Sequence, residues 1–242
     1  MQTHRSRGEQ PYRTEPVSFT RRGGRLSDRQ QAAWDAIGAT HVLDVPRNGI
    51  STSVDPAYVF EATATFGRQA PLVVEIGTGR GDALVHSAER HRDHDFLGIE
   101  VYRPGIAQTL VTVQHLGLDN VRMMIVNAAE AVATMLPTAS VHELRMWFPD
   151  PWHKVRHHKR RLVTPDFATH VGRVVEPGGT WRLATDWEDY AEQIRAVIAG
   201  SAEFDGGAWE PRFEERPLTR FESKGLAVGR TIRDVSAVRR TP

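Results

Sequence analysis

The chain has 242 residues, no cysteine and a formal net charge of +1 at pH 7. Without cysteine there can be no disulfide, zinc–thiolate site, iron–sulfur cluster or thiol nucleophile. No stretch approaches the roughly 18 apolar residues of a membrane span. The polar, Arg-rich start also lacks the apolar core of a secretory signal, so a cytoplasmic protein is expected.

The small net charge conceals an asymmetry. Residues 1–30 carry +4, residues 153–161 carry +5 and residues 212–242 carry +4, which leaves −12 on the remainder. Cationic segments on an acidic body are the electrostatic footprint of a nucleic-acid partner. Residues 1–30 show little apolar periodicity and read as a flexible basic arm. Residues 31–242 are long enough for a single domain with a full core.

Ser27 or Asp28 starts a short helix running to about Ile37. From Leu72 to Ile76 a Val- and Ile-rich run suits a buried parallel strand, and a helix carrying Leu84, Val85 and Ala88 follows. Phe96 to Glu100 is the second strand. Pro104 opens a helix with Ile106, Leu110 and Val113 on one face, and Gly117 lies past its end. Val121 to Val126 is the third strand, followed by a short helix at Ala129 to Met135. Leu144 to Phe148 is the fourth. Thr164 and Pro165 begin a helix with Phe167, Val171 and Val174 inward, ended by Pro177-Gly178-Gly179. Thr180 to Thr185 is the fifth strand, Asp186 opens a helix bearing Trp187, Tyr190, Ile194 and Val197, and Ile232 to Val238 supplies a terminal strand. This alternation predicts an α/β fold: a doubly wound, mostly parallel Rossmann-like sheet with helices on both faces.

Glu75-Ile76-Gly77-Thr78-Gly79-Arg80-Gly81 lies between a strand and a helix, where glycines let a ligand approach the backbone. Glu100 ends the second strand, where an acid can accept both hydroxyls of a ribose. The glycines fall as G-x-G-x-G, with Asp82 where a dinucleotide fingerprint needs glycine, which counts against an NAD(P) enzyme. An acid at Glu75, before the first glycine, suits a cationic ligand better than a pyrophosphate. The combination points to S-adenosylmethionine, with S-adenosylhomocysteine as product. Asn127, ending the third strand, fits either an adenine contact or a structural turn.

Two prolines bracket Asp150 at the end of the fourth strand. Neither can continue a ladder, so the carboxylate emerges at the sheet's C-terminal edge, where open α/β sheets place their ligands. Lys154, Arg156, Lys159, Arg160 and Arg161 follow at once, a dense cationic run that reads either as phosphate contacts, with an affinity that falls steeply with salt, or as a solvated helix start. His153 and His157 stand four apart without a third ligand, so no metal is expected.

These residues resemble the bacterial tRNA (guanine-N7-)-methyltransferases. The resemblance rests on Glu75-Ile76-Gly77-x-Gly79-x-Gly81, Gly98-Ile99-Glu100, Phe148-Pro149-Asp150-Pro151-Trp152 with the basic run behind it, Ala184-Thr185-Asp186-Trp187 and Thr219-Arg220-Phe221-Glu222. Arg21-Arg22-Gly23-Gly24-Arg25-Leu26 is similar to that family's N-terminal segment. The resemblance implies methylation of a guanine in the tRNA variable loop by a monomer or homodimer. By position, Glu75, Gly77, Gly79, Glu100, Asn127 and Asp150 would line the methyl-donor site. Lys154, Asp186, Thr219, Arg220, Phe221 and Glu222 would meet the RNA or the guanine. The family usually has Asp where Asn127 stands, and Pro and Lys where His153 and Val155 stand. The rival reading is a non-catalytic RNA-binding protein on a degenerate Rossmann scaffold.

Overall fold

The computed structural model describes residues 24–49 and 52–241. Most of the basic arm, with Arg21 and Arg22, lies outside the described residues. Ser27 caps helix α1 (Asp28–His41) through a capping box with Gln30, so the first helix begins inside the segment expected to be an arm. A short helix α2 (Ala62–Phe66) precedes the sheet.

Seven strands form one sheet: β1 (Leu72–Ile76), β2 (Asp95–Ile99), β3 (Val121–Met124), β4 (Val141–Trp147), β5 (Val175–Thr185), β6 (Phe204–Glu210) and β7 (Arg233–Arg239). Their order is β3-β2-β1-β4-β5-β7-β6. The pairs from β3 to β5 are parallel, and β7 runs antiparallel to both β5 and β6. The order reverses between β1 and β4, the switch point at which such sheets bind ligands.

The residues of β1 alternate between two cores. Val73 packs with Leu84, Val85, Ile106, Leu110 and Val113 from helices α3 (Asp82–Arg90) and α4 (Arg103–Leu116). Leu72, Val74 and Ile76 pack with Phe167, Val171, Tyr190 and Ile194 from α6 (Pro165–Val174) and α7 (Glu188–Ala199). A strand covered on both faces favours a nearly continuous apolar run, here interrupted only by Glu75, and that is why this strand is legible in the sequence.

Three features depart from the sequence reading. Pro177-Gly178-Gly179 does not stop α6, which ends at Val174; it forms a large bulge within β5. Val175 pairs with Val141, and regular register resumes only at Thr180 against Glu143. Gly178 takes φ +81°, and a Cβ on Gly179 would come within 2.7 Å of the His142 carbonyl oxygen. The second departure is β6, hidden because Gly206 and Gly207 interrupt its alternation and shift its register against β7. The third is α8 (Arg220–Ala227), capped by Thr219, whose side chain accepts from the Glu222 amide. Two short elements complete the path: α5 (Ala128–Glu130), which runs into a π-helical turn at Ala131–Met135, and a 3₁₀ turn at Val155–Arg160.

Candidate active site

The C-terminal ends of β1, β2, β3, β4 and β5 share one edge and deliver Glu75, Glu100, Asn127, Asp150 and Asp186 to it. After β1 the chain turns through Gly77 (φ +73°) and Gly79 (φ +57°), in the left-handed region that favours glycine. A Cβ at either position would meet nothing within 4 Å, so these glycines face open space. Glu100 sits beside this cradle and accepts hydrogen bonds from the backbone amides of Gly79 (2.7 Å), Val101 (2.7 Å) and Tyr102 (2.8 Å). Three amides converging on one carboxylate fix its orientation.

Glu75 is the most perturbed acid at this edge. Burial pushes its carboxyl up to about 7; Arg145 and the Trp147 indole oppose the shift, and Asp82 and Glu100 add to it. Arg145 is its cross-strand neighbour on β4 and hydrogen-bonds Glu143 and Ser87 Oγ. The Trp147 indole lies near the carboxyl without the geometry of a hydrogen bond, and Glu75 Oε2, Trp147 Nε1 and Thr78 Oγ1 are buried without hydrogen-bond partners. Buried polar atoms are ordinarily satisfied, so orphans beside an open glycine cradle mark a place built to receive a polar ligand. A buried carboxyl suits a cationic ammonium there, and Glu100 suits a pair of hydroxyls. The residues therefore fit S-adenosylmethionine.

The Glu75 carboxyl also carries a stability prediction. Its folded pKa lies above the ordinary 4.5, so between pH 4.5 and 7 the folded chain keeps a proton that the unfolded chain releases. Stability conferred by the neutral form is present at pH 4.5, falls as pH rises and is lost above about 7. At about 1.4 kcal/mol per pH unit this loss amounts to roughly 3 kcal/mol. The variant Glu75→Gln, free of ligand, is therefore expected to unfold at higher denaturant than the wild type at pH 8 and at about the same concentration at pH 5. Equal midpoints at pH 8 would refute the account.

Asn127 takes the structural role of its two sequence readings. Its side-chain oxygen accepts from the Ala129 (2.9 Å) and Glu130 (3.3 Å) amides and so caps α5, while its own amide donates to the Thr52 carbonyl at 2.6 Å. It is buried at the end of β3, on the edge that carries the other acids.

Asp150 is exposed, in contrast to Glu75. Phe148 (φ +54°) and Trp152 (φ +47°) flank the Pro-Asp-Pro turn, both non-glycine residues in the left-handed region. Such strain persists only when the surroundings over-determine the backbone. Here Phe148 donates to the Ala184 carbonyl at 2.7 Å and packs against Phe221 (centroids 5.1 Å), and Arg160 lies 5.0 Å over the Trp152 ring.

The basic run divides. Lys154, Arg156 and Lys159 are exposed on the 3₁₀ turn, while Arg160 is half-buried. Arg161 departs from the expected phosphate contact because it is 2 % exposed. Its guanidinium donates to the Pro151 carbonyl (2.8 Å), Gln193 (2.9 Å) and both Asp189 oxygens, and it lies 4.8 Å over the Tyr190 ring. It ties the Pro-Asp-Pro turn to α7. A run of like charges cannot reveal in sequence which member turns inward.

Asp186, at the end of β5, is largely buried and paired with Arg230 at 2.5 Å. Thr219 caps α8, Phe221 is exposed beside Phe148, and Glu222 is 1 % exposed. Of Arg220 the backbone alone is described, at the start of α8. Burial raises the Glu222 carboxyl, but hydrogen bonds from Arg212 and Arg216 outweigh it and hold it below the usual range. Arg216, fully buried, also grips Asp234 on β7 and lies 5.0 Å over Trp147 and 5.5 Å over Phe148. The sequence reading missed Arg216, Trp147 and Thr78. Trp147, immediately before Phe148-Pro149-Asp150, is the one whose position alone invited notice.

The family described as "Putative methyltransferase" matches residues 69–235. The chain is 51% identical over 216 residues to the tRNA (guanine-N(7)-)-methyltransferase of Paenarthrobacter aurescens (strain TC1), covering 89% of this chain and 72% of the relative. It is 41% identical over 231 residues to the protein of that name from Alkalilimnicola ehrlichii (strain ATCC BAA-1101 / DSM 17681 / MLHE-1), covering 94% and 92%. Among solved structures, the 16S rRNA methyltransferase KamB superposes with a TM-score of 0.54 at 15% identity over 74% of this chain and 94% of its own. The antibiotic-resistance methyltransferase Kmr gives 0.54 at 18% identity over 83% and 100%. The structural likenesses show a methyltransferase fold of the Rossmann type. With the glycine cradle, the Pro-Asp-Pro turn and two-fifths to one-half identity along nearly the whole chain, this protein belongs to the tRNA (guanine-N(7)-)-methyltransferase family.

Proposed function

We infer that this chain methylates N7 of a guanine in the variable loop of tRNA, with S-adenosylmethionine as donor. When bound, that donor supplies an electrophilic methyl group on a sulfonium sulfur. Gly77 and Gly79 give it room against the backbone, Glu100 accepts from its ribose hydroxyls, and Glu75 faces its ammonium group. Asn127 closes the adenine end. The observation that carries the reading is the juxtaposition, on one sheet edge, of an open glycine cradle with orphaned buried polar atoms and an exposed, rigidly held Asp150.

Guanine N7 carries a lone pair and no proton, so attack on a methyl carbon requires no prior deprotonation. The work of the protein is alignment. Asp150 accepts from the guanine N1–H or exocyclic amine and offsets the positive charge that develops on the base. Phe221, exposed beside Phe148, offers a ring face for the base. Lys154, Arg156 and Lys159 meet phosphates. Thr219 and Glu222 act by holding α8, and Asp186 by holding Arg230 at the rim.

The test is transfer of label from S-adenosylmethionine to unmodified tRNA, followed by nucleoside analysis of the product. Label recovered as 7-methylguanosine from the variable loop is expected. Label in another nucleoside would overturn the specificity, and tight tRNA binding without transfer would favour a non-catalytic RNA-binding protein.

A further inference from the structure

At the opposite, N-terminal edge of the sheet three histidines converge. His91 ends α3, His94 precedes β2 and His142 is the second residue of β4. Ring centroids are 5.7 Å apart for His91 and His94, and 5.9 Å for His94 and His142. Within this cluster the ligating atoms of His91, Asp93 and His94 all lie within 4.8 Å of one another. His94 Nδ1 stands 3.1 Å from Asp93 Oδ1, yet that buried nitrogen has no hydrogen-bond partner. That nitrogen faces the Asp93 carboxylate without the alignment of a good hydrogen bond, so a cation between the two would engage both groups.

The spacing suits a metal. Ligands about 2.0–2.2 Å from a tetrahedral zinc ion stand about 3.3–3.5 Å apart, close to the separation already present between His94 and Asp93. The backbone that carries the donors is held independently of any ion. The buried Asn120 amide donates to the carbonyls of Ala88 (3.0 Å), His91 (3.2 Å) and His94 (3.0 Å), and Arg68 donates to the His94 carbonyl and pairs with Asp95. His91 Nε2 lies 3.1 Å from Glu215 Oε1, and His142 Nδ1 lies 2.7 Å from Glu176 Oε1. A carboxylate against one ring nitrogen, as Glu215 stands to His91, is the partner that a metal-bound histidine ordinarily carries on its second nitrogen.

We propose that His91, Asp93 and His94 form a site for a borderline divalent transition ion of the zinc type, with Glu215 orienting His91. Imidazole and carboxylate donors select such an ion over magnesium or calcium. Three protein ligands leave a position for water. The site lies outside the reaction centre, but Glu215 belongs to the segment leading into α8. Occupancy therefore steadies the strand-to-helix connection that brings Thr219 and Phe221 to the active edge.

The experiment is titration of the full chain with Zn²⁺ against a chromophoric chelator, alongside His91→Ala, His94→Ala and, as a control, replacement of an exposed histidine on α4, His115→Ala. One equivalent bound by the wild type and His115→Ala is expected, with at least tenfold weaker binding in the other two. A thermal midpoint raised by Zn²⁺ in the wild type but not in His94→Ala is the second readout. It separates site binding from loss of fold, because all variants are first compared in chelator alone. Binding that survives in both His91→Ala and His94→Ala, or no stoichiometric binding by the wild type, would overturn the proposal.

Discussion

Replacing Asp150 with alanine is expected to reduce the methylation rate at saturating donor and tRNA by about 10²–10³-fold while leaving the unfolding midpoint unchanged. The magnitude is that of removing one preorganised partner of a charge that develops in the transition state. The side chain is exposed, so its loss opens no cavity in the core. The turn that presents it is braced by Phe148 and Trp152, and these brackets remain in the variant. Asp150→Asn keeps an acceptor and the shape but not the charge, and an intermediate rate is expected. The comparison isolates charge compensation from alignment. Near-normal turnover by Asp150→Ala would dismiss the assignment.

Arg216→Met is expected to destabilise the chain by about 3–5 kcal/mol at pH 7.5, the cost of removing one partner from a buried ionic cluster. Arg216 is the shared partner of Glu222 and Asp234, on α8 and β7 respectively, and both carboxylates are buried. Arg212 still reaches Glu222 at 2.8 Å, whereas Asp234 keeps, among the described residues, only a 3.4 Å hydrogen bond from the Phe213 amide. The pH dependence distinguishes an electrostatic cause from poor packing. In the wild type the Glu222 carboxyl is held below its ordinary value, so the stability it confers is present above about pH 4.5 and is lost as pH falls through the folded value. In the variant a carboxylate left buried and unpaired is pushed upward, so the variant's deficit should shrink between pH 7.5 and 5. Denaturant titrations at both pH values measure this; a deficit below 1 kcal/mol at pH 7.5, or one that is constant with pH, would refute the explanation. Since Arg216 also lies over Trp147 and Phe148, the same variant should loosen the turn that carries Asp150.

The sequence by itself determined the parallel half of the sheet and the edge at which the chemistry gathers. Strands β1 to β4 are largely buried and mostly apolar, with single charges such as Glu75, Arg122 and Arg145 interrupting them, and the stretches lead to Gly77, Glu100, Asn127 and Pro149. The antiparallel edge was less legible. β6 is an edge strand broken by Gly206 and Gly207, and α8 is a short polar helix whose existence depends on Thr219 capping it and on Arg216 holding Glu222. Only the tertiary structure decided which charges are used outwardly. Arg161 reads like Lys159 in the sequence but folds inward onto Asp189 and Pro151, and Glu222, which the family resemblance put against the RNA or the guanine, is enclosed by two arginines. The physical reason is that the destination of a charged side chain is set by partners distant in the chain, which no local pattern encodes. The approach of His142 on β4 to the local pair His91 and His94 follows the same rule.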